Sequence, residues 1–94
     1  MNNVYESGNY KNLSASGLVR TGSGALMGIF VASASGSPTI KVWDNTSAAT
    51  TVLVNTFTPS AGTFYPMPFA FLMGLYITIG GTVDCTVGWN GVGV

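Results

Sequence analysis

The side chains of this chain that could do chemistry are few and scattered. Its 94 residues include three acidic and three basic side chains, one cysteine and no histidine. General acid–base catalysis needs a titratable group held beside a partner, and without histidine no Ser/His/Asp or Cys/His pair can form. A carboxylate pair or a Ser/Lys pair stays open, although no spacing favours either. We therefore expect a protein that is not an enzyme. The only groups to consider are Glu6, Lys11, Arg20, Lys41, Asp44, Asp84 and Cys85.

The residues that could hold a metal ion or a cofactor are equally sparse. Cys85 alternates with Val83 and Val87, a pattern typical of a strand face, and we interpret it as a small buried hydrophobe rather than a nucleophile or metal ligand. Zinc-site spacing is absent because no second cysteine and no histidine exist. Asp44-Asn45 provides too few oxygens for a dedicated calcium loop and is better explained as a turn. We expect no metal and no cofactor.

The shortage of charge indicates the class of protein. Charged residues make up 6% of the chain, the net charge is zero, and residues 45–83 carry no charge at all. A soluble domain usually has about a quarter of its residues charged. A surface made polar by Ser, Thr and Asn is cheap to desolvate against another protein, while a neutral chain is not drawn to nucleic acid or to an anionic membrane. We predict a structural or binding module that works inside an assembly.

Targeting signals are missing from the sequence. The N-terminus lacks the basic and apolar regions of a secretory signal, so we expect a protein made in the cytoplasm that leaves it only within a larger particle. The longest apolar segment, from Phe64 to Ile79, is interrupted by Pro66 and Pro68 and does not predict a membrane-spanning helix.

The elements that must position any site are predicted to be strands. Apolar residues alternate with period two in three segments, and less regular strand patterns occupy four others, whereas helical spacing is absent. Gly-, Ser-, Pro- and Asn-rich turns separate them. The sequence therefore predicts one all-β domain over residues 1–94, an antiparallel β-sandwich or jelly-roll-like barrel of about seven to eight short strands, with residues 1–12 as an extended N-terminal arm. The segments are 17–21, 25–33, 40–43, 50–58, 63–66, 75–79 and 83–89, and the turns include 35–38, 44–47 and 80–81.

Two segments predict contact with other subunits. The strand from Ala25 to Ser33 is apolar on both faces, so its second face needs cover from a loop, the terminal arm or another subunit. The segment from Phe64 to Met73 carries four aromatics, two prolines and no charge, which favours an edge or loop that binds a partner. Packing into the domain's own core is the alternative for this segment. The predicted interface residues are Phe64, Tyr65, Met67, Phe69, Phe71 and Leu72, with Phe69 and Phe71 as its anchors.

Aromatic side chains also raise the possibility of carbohydrate binding. Trp43 shares the less apolar side of its strand with Lys41 and precedes a turn, so an exposed ring could stack on a sugar. Core packing is the alternative for Trp43, and it is the interpretation that we prefer for Trp89, which follows Cys85 and Val87 on an inward face.

Several phrases of the sequence resemble a known class of protein. They are 13–19 (LSASGLV), 28–33 (GIFVAS), 38–44 (PTIKVWD) and 54–59 (VNTFTP), and together they resemble the small β-rich virion proteins of tailed bacteriophages. The resemblance extends over most of the chain and lies in its general character and in these short segments, without a catalytic or binding signature. It implies a virion structural protein of the head decoration, or cement, type, which sits on the capsid surface and bridges major capsid subunits, often as a trimer.

The sequence leaves three functional hypotheses. The first is a non-enzymatic capsid decoration protein that forms a homo-oligomer, with a trimer favoured because so small a chain would expose much apolar surface as a monomer. The second is a carbohydrate- or receptor-binding head of a phage fibre that uses Trp43. A non-viral scaffold or adhesin subunit is the third, and the absence of a secretion signal counts against it.

Overall fold

The fold is an antiparallel β-sheet that is bent over on itself. The structure, a computed structural model, describes residues 8–91, which contain strands and turns and no helix. The prediction of an all-β antiparallel domain is confirmed. Six strands replace the seven to eight short ones expected, and they are β1 (Asn9–Leu13), β2 (Gly17–Thr21), β3 (Gly24–Trp43), β4 (Val52–Phe57), β5 (Thr63–Phe71) and β6 (Gly74–Asn90).

Two long strands organise the sheet. β3 and β6 pair with each other from Ala25↔Asn90 at one end to Trp43↔Tyr76 at the other. The four shorter strands add to their outer edges: β1 and β2 pair with β6, and β4 and β5 pair with β3. Each long strand therefore has one short neighbour along each of its halves.

The long pair bends sharply at its middle. Between the pairs Ser35↔Thr82 and Thr39↔Gly80, three residues of β3 lie opposite the single residue Gly81. Gly36 and Ser37 of β3 and Gly81 of β6 have φ of 66°, 57° and 68°, which lie in the left-handed region. An irregularity of this kind kinks a strand pair. A straight strand of 20 residues would measure about 66 Å, whereas the longest dimension of the molecule is 45 Å.

The bend creates two layers that face each other. Layer 1 consists of β1, β5 and the halves of β3 and β6 at 24–35 and 82–90; layer 2 consists of β2, β4 and the halves at 38–43 and 74–80. Ile29 of layer 1 and Val42 of layer 2 are both fully buried and belong to one core. Four strand segments in each layer account for the expected sandwich. The buried core residues are Leu13, Leu26, Ile29, Val31, Ile40, Val42, Met67, Phe71, Leu75, Ile77, Val83, Cys85 and Val87.

Some predicted boundaries are wrong, and the bend explains most of them. The turn predicted at 35–38 and the one at 80–81 both lie inside continuous strands, because a kinked ladder uses the same Gly, Ser and Pro residues as a chain reversal. The strand predicted at 63–66 continues through both prolines to Phe71 as the edge strand β5. Within the predicted N-terminal arm, Asn9–Leu13 forms β1, and residues 1–7 lie outside the described part.

We predict that Gly81→Ala weakens the fold far more than Gly62→Ala. Both glycines have positive φ, so alanine is strained by about 1–2 kcal/mol at either site. A Cβ at Gly62 would meet nothing within 4 Å, but at Gly81 it would lie 2.5 Å from the Gly36 carbonyl oxygen. Urea unfolding should give a clearly larger loss of stability for Gly81→Ala. Equal losses for the two variants would show that the bend is not tightly packed.

Candidate interaction surfaces

The outer side of layer 1 carries two rows of side chains, which are apolar and aromatic except for Asn12 and Thr86. Residues paired across an antiparallel ladder point to the same side of a sheet. Since Val87 and Ile29 are buried, their chain neighbours Gly88, Gly28 and Thr86 belong to the outer side. We call this surface the layer 1 face. From β1 to β5 its rows are Tyr10, Gly88, Gly28 and Pro66, then Asn12, Thr86, Phe30 and Phe64.

Three aromatic side chains on the layer 1 face are exposed. Tyr10 is 72% exposed, Phe64 55% and Phe30 42%. The end of the Phe64 ring lies over Gly28, where a Cβ would come within 2.5 Å of its Cζ atom. Glycine at this position lets an edge-strand ring lie across the neighbouring strand, so the aromatic surface extends toward the middle of the face.

The layer 1 face has little charge around it. Lys11 of β1 points toward layer 2, where its Nζ donates to the Leu18 carbonyl oxygen at 2.9 Å. The Arg20 side chain of β2 is also directed away from this face, because its guanidinium lies 4.9 Å from the centre of the inward-pointing Trp89 ring. Among residues 8–91, Asp84 is the one acidic or basic side chain on this side of layer 1. Asp84 precedes Thr86 by two residues along β6, on the side of the bend.

A second exposed apolar surface lies in the turn between β5 and β6, which we call the tip. Leu72 is 77% exposed and Met73 56%. The buried Asp44 carboxylate accepts the Leu72 N–H at 3.0 Å and the Met73 N–H at 2.8 Å, and the Gly22 N–H donates to the Met73 carbonyl oxygen at 2.9 Å. The tip is therefore a rigid turn whose two side chains point into solvent.

The six predicted interface residues divide between surface and core. Phe64 lies on the layer 1 face, Leu72 forms the tip, and Phe69 is 46% exposed at the edge of layer 1. Met67 and Phe71 are buried in the core. The burial pattern of β5 places 65, 67 and 71 inward, while 68–70 are exposed where the pairing of β5 with β3 shifts register. Phe71, which was predicted as an anchor of the interface, therefore packs into the core of its own domain.

Tyr65 stabilises the β4–β5 connection. Its ring packs against Phe57 with centroids 5.1 Å apart, and its hydroxyl oxygen accepts the Ser60 N–H at 2.8 Å.

Sequence reasoning missed Tyr10 and Phe30, which are exposed on the same face as Phe64. The signal for Phe30 was present in the two-faced apolar pattern of 25–33, whereas Tyr10 fell in the segment predicted as an arm.

Trp43 lies on the outer side of layer 2, as its position beside Lys41 predicted, but its ring is half-buried. The Lys41 Nζ lies 4.4 Å from the centre of the ring, and the indole N–H donates to Thr78 Oγ1 at 2.9 Å. Lysine thus covers one ring face, and the indole nitrogen already has an acceptor. Trp89 points inward and packs against the core, as expected.

The titratable groups of residues 8–91 do not converge on a reactive centre. Lys11, Arg20, Lys41 and Asp44 are each bound to backbone or to an aromatic ring in different parts of the molecule. Residues 8–91 enclose no cavity for a small molecule and contain no cluster of three metal-ligating side chains. Cys85 is buried as predicted, and desolvation, followed by the nearby Asp84 charge, raises the pKa of its thiol to about 11.

No family model matches this chain, and neither does any curated protein or solved structure with which it was compared. No helix in the described part is long and apolar enough to cross a membrane. The functional argument therefore depends on the two exposed surfaces and on the resemblance to phage virion proteins.

We predict that Asp44→Ala destabilises the domain by about 1–3 kcal/mol, since it leaves two partly buried N–H groups without a charged acceptor. Asp44→Asn should cost less, because one amide oxygen can replace Oδ1, which accepts from both Leu72 and Met73. Hydrogen exchange of these two amides should accelerate strongly in the alanine variant and weakly in the asparagine variant. Unchanged exchange in both would show that Asp44 does not hold the tip.

We predict that the Cys85 thiol is inert in the folded protein. At pH 8 it is buried and protonated, and the thiolate is the species that attacks a disulfide reagent. Ellman's reagent should react only after urea is added. The thiol pKa is raised by folding, so the free energy of unfolding should fall as pH rises from about 9 to about 11. Rapid reaction of the native protein at pH 8 would contradict this.

Proposed function

We propose that the chain is a non-enzymatic structural protein that works by binding other protein subunits. The observation that carries this proposal is the layer 1 face, where exposed Tyr10, Phe30 and Phe64 form an aromatic surface, and where Asp84 near its end is the one carboxylate that residues 8–91 contribute. Exposed apolar patches of this kind mark protein-binding sites on soluble domains. The separation of the charged groups, each bound elsewhere, supports a role without catalysis.

The resemblance to tailed-phage virion proteins specifies the assembly. On this proposal the protein forms a homo-oligomer on the capsid surface, contacts the major capsid protein and stabilises the head by bridging its subunits. Neither nucleic acid nor a membrane is a partner. The two-layer sandwich suits this role, because two rigid sheets can present one contact to a shell and another to a neighbouring subunit.

The carbohydrate-binding alternative has weaker support from the geometry. A sugar stacked on Trp43 would have to displace Lys41, whose ammonium lies over the ring. The indole N–H, already donated to Thr78, is not free to bind a sugar hydroxyl. Specific binding on a glycan array that is lost in Trp43→Ala would favour this alternative.

The decisive experiment is to locate the protein. In particles purified from a lysate of the host that carries this gene, we expect mass spectrometry to find it in a fixed ratio to the major capsid protein. Heads that lack it should open at a lower temperature, and adding back the purified protein should restore their stability. Particles without the protein, or with it only in their fibres, would refute the capsid role.

A further inference from the structure

We propose that the layer 1 face binds the same face of a second copy of this chain, in a two-fold symmetric dimer. This deepens the proposed function and rests on it only in taking the face as a protein-binding surface. Phe30 and Phe64, adjacent across β3 and β5, form the centre of the contact, and Tyr10 extends it along the β1 side.

The electrostatics of the face favour its own copy. In a two-fold symmetric contact, each charge on one copy lies near the same charge, or one of its neighbours, on the other copy. A face with charges of one sign would therefore repel the identical face of a second copy. Here the centre of the layer 1 face carries no charge, and Asp84 lies at the end of the face nearest the bend. When two copies pair with their strands in opposite directions, the two carboxylates lie at opposite ends of the contact. Net charge zero removes long-range repulsion as well.

The edges of the sheet are poorly suited to self-association, which leaves the faces. β5 is an edge strand of layer 1, and Pro66 and Pro68 have no N–H to donate to an added strand. β1 and β2 have five residues each, and the β3–β4 ladder is irregular at two points. Short, irregular or proline-containing edges are the features that prevent strand addition.

The size of the face sets the expected affinity. Four strands about 4.8 Å apart, over about seven residues each, cover a flat area of roughly 450 Å², without the extra surface of the protruding side chains. The exposed parts of the three aromatic rings alone contribute on the order of 300 Å². A standard interface buries about 800 Å² on each partner, so a contact of this size belongs with weak, transient interfaces. We therefore expect a dimer that dissociates at micromolar concentrations.

The outer side of layer 2 is a poorer candidate for the same contact. Its row, Val52, Trp43, Tyr76 and Leu18, is mostly half-buried, and the Lys41 side chain lies along it. A two-fold contact there would bring two ammonium groups into one interface, at a cost in desolvation. The layer 1 face involves no such cost.

Sedimentation velocity over about 1–300 µM tests the proposal with the full chain. The wild type should shift from monomer to dimer, with a Kd that changes less than about threefold between low and high salt, because few charges are screened. Phe64→Asp and Phe30→Asp should each raise the Kd by at least about 30-fold while circular dichroism shows a folded protein. Phe64→Leu, which keeps an apolar side chain, should retain most of the affinity.

Two control variants place the same charge on other exposed apolar sites. Val52→Asp alters the outer side of layer 2 and Leu72→Asp alters the tip, and both should dimerise as the wild type does. If Leu72→Asp abolishes association as Phe64→Asp does, or if a trimer forms, the contact joins unlike surfaces and the two-fold proposal is wrong. A wild type that stays monomeric throughout also overturns it.

The outcome is distinguishable from that of the proposed function. A monomer that is nevertheless found on purified heads would reject the dimer and keep the capsid role. A dimer that depends on Phe30 and Phe64 but is absent from particles would do the reverse.

Discussion

The bend in the β3–β6 pair is the constraint on which the remaining structure depends. A straight ladder of this length would bury neither of its sides, whereas folding it at Gly81 brings two apolar surfaces into contact and removes both from water. The left-handed residues Gly36 and Ser37 on one strand and Gly81 on the other allow the kink without breaking the pairing. The bend at Gly81 therefore both reverses the direction of the strand pair and brings the two halves of the core together.

The two ends of the folded ladder meet again at Asp44. β3 begins at Gly24, opposite Phe71 of β5, and Asp44, which follows its last residue, accepts hydrogen bonds from the turn directly after Phe71. One buried carboxylate therefore joins layer 2 to the end of layer 1. The same contact holds Leu72 and Met73 in the solvent, so an interaction that stabilises the fold also determines which apolar side chains remain exposed.

Alternation in the sequence predicted which side chains point inward, but not how far each strand extends. Ile40 and Val42, or Cys85 and Val87, occupy the core as their period of two indicated. The union of 25–33 with 40–43 could not be predicted, because Gly36 and Pro38 are equally compatible with a reversal and with a kinked strand. Met67 and Phe71 were predicted as interface because an uncharged, aromatic segment with prolines indicated an edge or loop that binds a partner. An edge strand tolerates proline, and β5 directs these two side chains into the core.

Low charge and blocked edges are complementary features of this molecule. A chain with so few charges has little electrostatic protection against aggregation, so an open β-edge would be hazardous. Pro66 and Pro68 remove donors from β5, and at the same time the glycine at position 28 lets the ring of Phe64 lie over the adjacent strand. β5 is therefore closed to strand addition along its edge and apolar on its face. That combination directs association to a surface of fixed shape, where side-chain packing, rather than backbone pairing, selects the partner.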